Sequence, residues 1–234
     1  ACDMGVSRRN ALAGAAATAA VAGLSGRAGA ATRPRTFVLV HGAWHGGWCW
    51  RDVAAGLRAQ GHIVHTPTLT GMGDRVHLGT RDTGIAVHAE DIVRAAEAEE
   101  VADATLVLHS YAGLPGSVAL DRLGTRIAQA VYLDAIFPVP GAGLLTGTPP
   151  ETVKAAVAGL IDGYKAPSFP PQAFGVTDPK QVAWLERRLT TMTWKAIEDV
   201  LPPLGATFAA ARKHYVVATG NALPGPKTSA EKAK

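Results

Sequence analysis

Cysteine is almost missing from the sequence: among 234 residues there are two, Cys2 and Cys49. Cys2 precedes the arginine pair of the export segment described below and would be removed with it, so a mature chain would keep one thiol and form no internal disulfide. Cys49 stands between Trp48 and Trp50, which indicates a buried small apolar residue and not a nucleophile. A disulfide-stapled fold is therefore excluded.

Long apolar runs and basic stripes are also missing. No run approaches the roughly 20 apolar residues that a bilayer-spanning helix needs. The net charge of +4 comes partly from the N-terminal leader and partly from the tail PKTSAEKAK, and no basic stripe with interleaved aromatics accompanies it. The sequence predicts no membrane span and no nucleic-acid partner. With 47% hydrophobic and 18% charged residues, it suits one soluble domain.

The first thirty residues have the composition of a targeting segment. Arg8 and Arg9 precede an Ala-rich, weakly apolar stretch that ends on Ala28-Gly29-Ala30, a small-x-small cleavage pattern. This predicts a twin-arginine export signal over residues 1–30, an extracellular or cell-envelope location, and a mature domain over 31–234. A disordered or helical N-terminal arm is the alternative.

Apolar β-branched runs alternate with segments of helical period from Arg33 onward. The first helical segment should bury Trp50, Val53, Ala54 and Leu57 and end at Gly61; the second should bury Ala89, Ile92, Val93 and Ala96; a third spans Leu114 to Leu123. The predicted strands are 36–40, 62–67, 104–108, 128–133 and 213–220. This alternation predicts the α/β class, with a mostly parallel twisted sheet and helices on both faces.

Residues 138–203 interrupt the alternation. The stretch is rich in Pro and Gly but contains helical pieces, one of which begins at Asp178-Pro179 as a plausible N-cap and first residue. A helical insertion after a strand predicts a small lid over the carboxyl edge of the sheet.

Ser110 lies between a strand and a helix, in LVLHSYAGLPG. A serine hydroxyl attacks a carbonyl only when a base removes its proton and backbone donors stabilise the oxyanion. A sharp strand-to-helix turn meets the second need, because the helix amides point toward the oxyanion. The usual pattern is G-x-S-x-G, whereas here the flanking positions are Leu108 and Ala112.

The loop after the first strand supplies the complementary element. VLVHGAWHGGWCW places His41 and Gly42 in an open, Gly-rich loop. In hydrolases whose serine lies in a strand-to-helix turn, a loop at this position donates the second oxyanion amide. The predicted oxyanion donors are the amides of Ala43 and Tyr111, and His41 and Gly42 are predicted to border the substrate.

Four segments in order, FVLVHGAWHGGWCW, GHIVHTPTLTGMGDRVHL, LVLHSYAG and VYLDAIFPVPG, resemble the α/β-hydrolase family, in particular the plant methylesterases, the hydroxynitrile lyases and their bacterial carboxylesterase relatives. The resemblance covers roughly Thr36 to Pro226. It implies a Ser-His-Asp hydrolase of small carboxylic esters, with Ser110 as nucleophile and with no metal and no cofactor. The lyase branch replaces the glycine of the His-Gly pair by a hydroxyl residue, so Gly42 favours an esterase.

The triad acid and base depart from the family pattern. At the family's usual position for the triad acid, this sequence has Asn221. Asp134, at the end of VYLD, is the alternative candidate for the acid. The other interpretation of Asp134 is a structural cap of the first turn of the lid. No histidine follows His214, which should lie at the amino end of its strand. His109 is expected to point away from its neighbour Ser110. His41 and His45 are expected to shape the loop, and the alternative is that one of them serves as a surrogate base.

Two functional hypotheses follow, with a third disfavoured. The first is an exported serine carboxylesterase whose sequence lacks the last strand, the last helix and the histidine of the family. The second is a non-catalytic protein that binds a small ester or acid in the pocket under the lid, and the third is a hydroxynitrile lyase. The sequence is silent on the oligomeric state.

Overall fold

A five-stranded parallel sheet organises the computed structural model, which describes residues 33–220, 229 and 231. The strands in chain order are β1 Thr36–Val40, β2 Ile63–His65, β3 Ala104–His109, β4 Ile127–Leu133, β5 Lys165–Ala166, β6 Met192–Thr193 and β7 Lys213–Val216. The order in the sheet is β2-β1-β3-β4-β7, while β5 and β6 form a separate antiparallel pair. The predicted α/β fold with a parallel sheet is confirmed.

Seven α-helices connect the strands in the described part of the chain. They are α1 Arg51–Ala59, α2 Ile85–Ala98, α3 Gly113–Leu123, α4 Pro150–Ala158, α5 Pro179–Glu186, α6 Trp194–Glu198 and α7 Ala206–Ala210. Short 3₁₀ turns precede α1 and α3, at Gly47–Trp50 and Ser110–Ala112. Three sequence-based predictions concern residues outside the described part of the chain: the export signal at 1–30, Cys2 and Asn221.

Helices cover both faces of the sheet because side chains alternate along each strand. On β1, Val38 and Val40 enter the main core with Ile92 and Leu120 of α2 and α3, whereas Leu39 enters a smaller cluster with Ala54 of α1. Residues of β1, β3 and β4 contribute to both clusters. Each of these strands is therefore anchored from two sides, and this fixes the positions of the loops that follow them.

The predicted helix faces are correct except at one residue. All four predicted residues of α2 are buried. At α1, Ala54 and the preceding Trp50 are buried and Leu57 is half-buried, but Val53 is 50% exposed, so its predicted burial is wrong. The main core lies on the opposite face of the sheet, and the small cluster under α1 needs only a narrow apolar stripe. The α1 cap is Gln60, and Gly61 follows it with the left-handed φ of 84°.

Two strands are shorter than predicted, whereas β1 has the predicted bounds and β3 and β4 are each one residue longer. β2 ends at His65, and β7 ends at Val216 rather than Gly220. His214 lies inside β7, opposite Val131, and is exposed. It is the second residue of β7, so the prediction that it lies at the amino end of its strand is confirmed.

Between β4 and β7 the chain contributes no strand to the five-stranded sheet. This stretch contains α4, the β5–β6 pair, α5 and α6, and the side chain of Asp178 accepts a hydrogen bond from the Gln181 amide, with Pro179 as the first residue of α5. The predicted N-cap is thus confirmed. None of the helices in the described residues is both long enough and apolar enough to cross a bilayer.

Candidate active site

The carboxyl ends of β1, β3 and β4 meet at one edge of the sheet. The chain runs from β1 to β2 on one side of it, and then crosses to β3 on the other side. Such a switch point leaves a crevice at the carboxyl ends of the two strands, where open α/β sheets bind ligands. The loop His41–His45 follows β1 and Ser110 follows β3, so both predicted oxyanion donors lie at this crevice.

Ser110 occupies a strained turn between β3 and α3. Its φ is +54°, a left-handed conformation that is uncommon for a residue with a side chain and that clusters at functional sites. The Ser110 carbonyl accepts a hydrogen bond of 3.0 Å from the Ile136 amide. Turn and conformation are those of a nucleophile elbow, in which the serine hydroxyl stands free of the backbone.

Leu108 fits where the usual motif has glycine because Gly116 gives it room. A Cβ built on Gly116 would lie 2.1 Å from Cδ2 of Leu108. The Leu108 side chain therefore fills the space that a side chain at position 116, in the first turn of α3, would need. Leu108 and Ala112 are fully buried. The missing motif glycine therefore does not block the turn, since a second glycine, eight positions along the chain, makes the space.

Gly42 lets the oxyanion loop approach the elbow. A Cβ at Gly42 would lie 2.9 Å from Cβ of Ser110 and 3.1 Å from Nδ1 of His109, closer than real Cβ atoms come to a side chain. Ala43, the next residue, is buried. The loop therefore needs glycine at this position to bring the Ala43 amide near Ser110.

His41 supports the loop from inside. Its Nδ1–H donates to the Gly42 carbonyl at 2.7 Å, and its Nε2 accepts from the Leu69 amide at 3.0 Å. Burial lowers the pKa of His41 to about 3, so the ring is neutral. Both ring nitrogens are engaged and the residue is fully buried, which leaves no ring atom for the predicted substrate contact or for service as a surrogate base.

The peptide group held by His41 is the one that carries the Ala43 amide. The Gly42 carbonyl and the Ala43 N–H belong to the same peptide plane, so the hydrogen bond orients that N–H and polarises it. His45 adds a second contact, from its Nδ1 to the Ala43 carbonyl at 2.7 Å, and its ring stacks on Trp48. Both histidines thus have the loop-shaping contacts that the sequence predicts.

Asp134 occupies the position on β4 that corresponds to Ser110 on β3. His109 pairs with Leu133 in the register of the sheet, so Ser110 and Asp134 are the first residues past the paired ends. Asp134 is buried, has a φ of +47°, and its Oδ1 accepts from the Ala218 amide at 3.0 Å. The geometry places a carboxylate beside the elbow.

No histidine among the described residues hydrogen-bonds to the Ser110 hydroxyl. His109 packs its ring against Trp50, with 6.1 Å between centroids, and burial lowers its pKa to about 4. Cys49 is half-buried, and burial raises the pKa of its thiol to about 12. A thiol with so high a pKa is a poor nucleophile at neutral pH. This agrees with the prediction, made from the flanking tryptophans, that Cys49 is not a nucleophile.

A cavity of about 420 Å³ lies beside Trp44, the residue that follows the predicted oxyanion donor Ala43. Its lining is mostly apolar and comes from the oxyanion loop and the 138–203 segment: Trp44, Leu144, Leu145, Thr148, Thr152, Val153, Ala155, Ala156, Gly159, Ala166, Pro167, Phe169, Trp194 and Ile197. Trp44 packs edge-on against Phe169 at 5.2 Å, and its carbonyl accepts from the Thr190 amide. The cavity is large enough for a small aromatic or aliphatic group.

One polar pair at the site was not foreseen from the sequence. The Tyr111 hydroxyl lies 2.8 Å from Nδ1 of His88 on α2, and both residues are buried. The sequence signal was available: His88 occupies the position between Ile85 and Ile92 in the buried stripe of its helix, where a polar residue needs a partner.

A parallel sheet with a serine elbow, an adjacent glycine loop and a carboxylate after the next strand defines the class of serine hydrolases with an α/β architecture. Residues 37–233 match the model of the alpha/beta hydrolase family. The chain belongs to that family.

Two relatives agree with the resemblance seen in the sequence motifs. A carbendazim hydrolyzing esterase from Nocardioides sp. (strain SG-4G) is 38% identical over 194 residues, which are 79% of this chain and 80% of that protein. Methyl jasmonate esterase 1 from Vitis vinifera is 36% identical over 115 residues, 49% of this chain and 44% of that protein. The predicted relation to plant methylesterases and bacterial esterases is therefore confirmed.

Solved structures share the fold at low identity. Tomato methylketone synthase I superposes with a TM-score of 0.68 at 21% identity, covering 86% of this chain and 84% of that one. An extracellular alpha/beta-hydrolase from a Paenibacillus species gives a TM-score of 0.67 at 21% identity, covering 84% and 86%. These likenesses concern the fold alone.

Proposed function

We propose that this protein is a serine carboxylesterase that cleaves small esters with an uncharged, apolar acid or alcohol part. Ser110 attacks the ester carbonyl, and the oxyanion that forms accepts hydrogen bonds from the amides of Ala43 and Tyr111. The alcohol leaves with the proton of the Ser110 hydroxyl, and water then adds its hydroxyl to the acyl group and returns a proton to Ser110, which releases the acid. The observation that carries the proposal is the left-handed Ser110 with the oxyanion loop packed against it.

Asp134 is proposed as the acid that orients the catalytic base. Its buried carboxylate lies at the carboxyl end of the strand next to that of Ser110, where this architecture can mount a triad acid.

The cavity supports the substrate class. Trp44 connects it to the oxyanion loop, no charged side chain lines it, and the polar side-chain groups of its lining residues are the hydroxyls of two threonines and the indole N–H groups of two tryptophans. Burying an ionised group there without a partner would be costly, so the group that enters is uncharged. Carbendazim, for which the bacterial relative is named, is one compound to assay beside simple aromatic methyl esters.

Esterase chemistry is favoured over hydroxynitrile lyase chemistry by Gly42. A hydroxyl-bearing residue there would need its Cβ 2.9 Å from Cβ of Ser110, so the loop as folded accommodates glycine.

The experiment compares the chain with Ser110→Ala and with Ser168→Ala, a matched control at a serine outside the sheet. p-Nitrophenyl acetate and a fluorophosphonate probe are used together. An oxyanion hole and binding alone give about 10³ to 10⁴ over the water reaction even when a triad member is missing, so measurable turnover and labelling are expected. Ser110→Ala should abolish labelling, which needs the serine hydroxyl, and should lower turnover to that residual level, whereas Ser168→Ala should leave both unchanged.

A non-catalytic binding protein is the second candidate, favoured by the formed cavity and by the absence of a histidine hydrogen-bonded to Ser110 among the described residues. Equal hydrolysis and equal labelling by the chain and Ser110→Ala would leave this candidate, and saturable binding of an aromatic ester would then support it.

A further inference from the structure

A buried polar pair lies directly behind the nucleophile turn. The Tyr111 hydroxyl is 2.8 Å from Nδ1 of His88, and Nε2 of His88 is 2.8 Å from the carbonyl of Thr70. A carbonyl can only accept, so Nε2 carries the proton and Nδ1 accepts from the Tyr111 hydroxyl. The two contacts fix one neutral tautomer of His88 between α2 and the turn.

Both partners stay uncharged at neutral pH. Burial lowers the pKa of His88, and burial raises the pKa of Tyr111 well above 10. The bond is therefore a neutral hydrogen bond in a dry environment, where losing one partner leaves the other unsatisfied.

The far end of the pair is also anchored. The Thr70 amide and hydroxyl both donate to the carboxylate of Asp91, at 2.7 and 2.9 Å, and the guanidinium of Arg75 bonds to the Thr70 hydroxyl and to Asp91. Thr70 therefore cannot shift without breaking several charge-assisted contacts.

The neighbouring residue, Leu69, belongs to the other half of the site. Its amide donates to Nε2 of His41, and His41 in turn holds the peptide that carries the Ala43 amide. Two consecutive residues, Leu69 and Thr70, are thus attached to two buried neutral histidines. One of these histidines supports each proposed oxyanion donor.

We propose that His88 is a positioning residue for the oxyanion hole. It holds the Tyr111 side chain and thereby the orientation of the Tyr111 amide, and through Thr70 and Leu69 it sets that amide relative to the Ala43 amide. An oxyanion donor acts only within about 2.7–3.1 Å of the developing charge. The turn that presents it is also strained at Ser110, so it persists only if its surroundings hold it. The inference rests on the proposed function.

The decisive variant is Tyr111→Phe, which keeps the ring and the backbone amide and removes only the hydroxyl. Its matched control is Tyr132→Phe, because Tyr132 is an equally buried tyrosine whose hydroxyl bonds to Ser117 at 2.7 Å. With p-nitrophenyl acetate, Tyr111→Phe should lower kcat about tenfold and leave KM within about twofold, a fraction of the loss caused by removing an oxyanion donor outright. Tyr132→Phe should leave kcat within about twofold.

A second variant covers the event that Tyr111→Phe does not fold. His88→Gln should give the same loss of kcat at unchanged KM, and where the double variant folds it should be no more than about twofold worse than either single one, since both act through one bond. The affinity for phenylboronic acid, which forms a tetrahedral adduct on a serine, should fall in parallel, whereas that for the acid product should not.

The outcomes separate this inference from the proposed function. If the chain and Ser110→Ala have equal turnover, the proposed function fails and this inference fails with it. If Ser110 is required but Tyr111→Phe lowers kcat no more than Tyr132→Phe, or changes KM alone, His88 has only a structural role. A kcat loss restricted to Tyr111→Phe and His88→Gln, at melting temperatures close to that of Tyr132→Phe, supports the positioning role.

Discussion

The turn at Ser110, the proposed nucleophile, and the helix α4 differ sharply in how tightly they are packed. Around Ser110, the residues from Tyr111 to Ser117 are all buried, and the turn is bonded to Ile136. In α4 no residue is buried, although its inner side lines the cavity, and Val157 is 45% exposed. Buried packing is therefore concentrated around Ser110 and is nearly absent in α4.

The difference assigns separate tasks to the two regions. Oxyanion donors must be fixed before the reaction, because their value lies in needing no reorganisation. A surface that receives a substrate can be loosely packed, since local opening draws on the least stable parts of a fold. The contrast predicts that small changes at the turn cost activity or stability heavily, whereas large changes on α4 alter only recognition.

Gly42→Ala is expected to have the largest effect. Its Cβ would lie 2.9 Å from Cβ of Ser110, so the oxyanion loop must move away from the elbow and take the Ala43 amide out of reach. Losing one oxyanion donor lowers kcat by about 10² to 10³, and this range is expected in hydrolysis of p-nitrophenyl acetate at saturating substrate.

The matched control for Gly42→Ala is Gly56→Ala on α1, where a new Cβ meets nothing within 4 Å. Alanine in an exposed helix position should stabilise the fold by about 0.5–1 kcal/mol and leave kcat unchanged. Equal kcat values for the two variants would mean that the loop does not carry an oxyanion donor.

Gly116→Ala tests how tightly the elbow is packed. The added methyl would lie 2.1 Å from Cδ2 of Leu108, and overpacking of a buried helix–strand contact costs about 3 kcal/mol at the upper end of its usual range. The free energy of unfolding, measured by urea denaturation, should fall by that amount.

Leu108→Ala supplies the check on the cause. It removes the atoms that clash, so the double variant should be less destabilised than the sum of the two single ones by at least about 1 kcal/mol. Simple additivity would show that Leu108 and Gly116 do not share this space.

The sequence predicted the fold well because the sheet is built from periodic, buried runs. The succession of strands and helices along the chain and the buried stripe of α2 follow from alternation and helical period, which are local properties of the chain. The burial of Val53 was predicted wrongly because the width of the buried face of a helix depends on how much of the sheet lies beneath it. The helical period alone does not report that width.

The site was predicted in part, for a similar reason. Ser110 and the Gly42–Ala43 loop come from contiguous motifs, whereas the His88–Tyr111 pair joins residues from α2 and the elbow that meet only in the folded chain. His41 was expected at the substrate, but its contact with Leu69, which lies beyond β2, shows it to be an internal support. Such contacts across the fold leave little trace in a single sequence.

Ala156→Trp on α4 should have the smallest effect and the most selective one. Ala156 lines the cavity but is exposed on a helix without buried residues, so an indole can occupy the cavity without displacing the core. The expected result is a KM about tenfold higher for a bulky aromatic ester, with the KM for an acetate ester and the urea midpoint unchanged, since exposed substitutions usually stay within about 0.5 kcal/mol. Ala158→Trp, on the same helix but outside the cavity lining, is the control and should change neither KM. A lower urea midpoint for Ala156→Trp than for Ala158→Trp would show that α4 packs as firmly as the elbow, and the contrast between the two regions would then be lost.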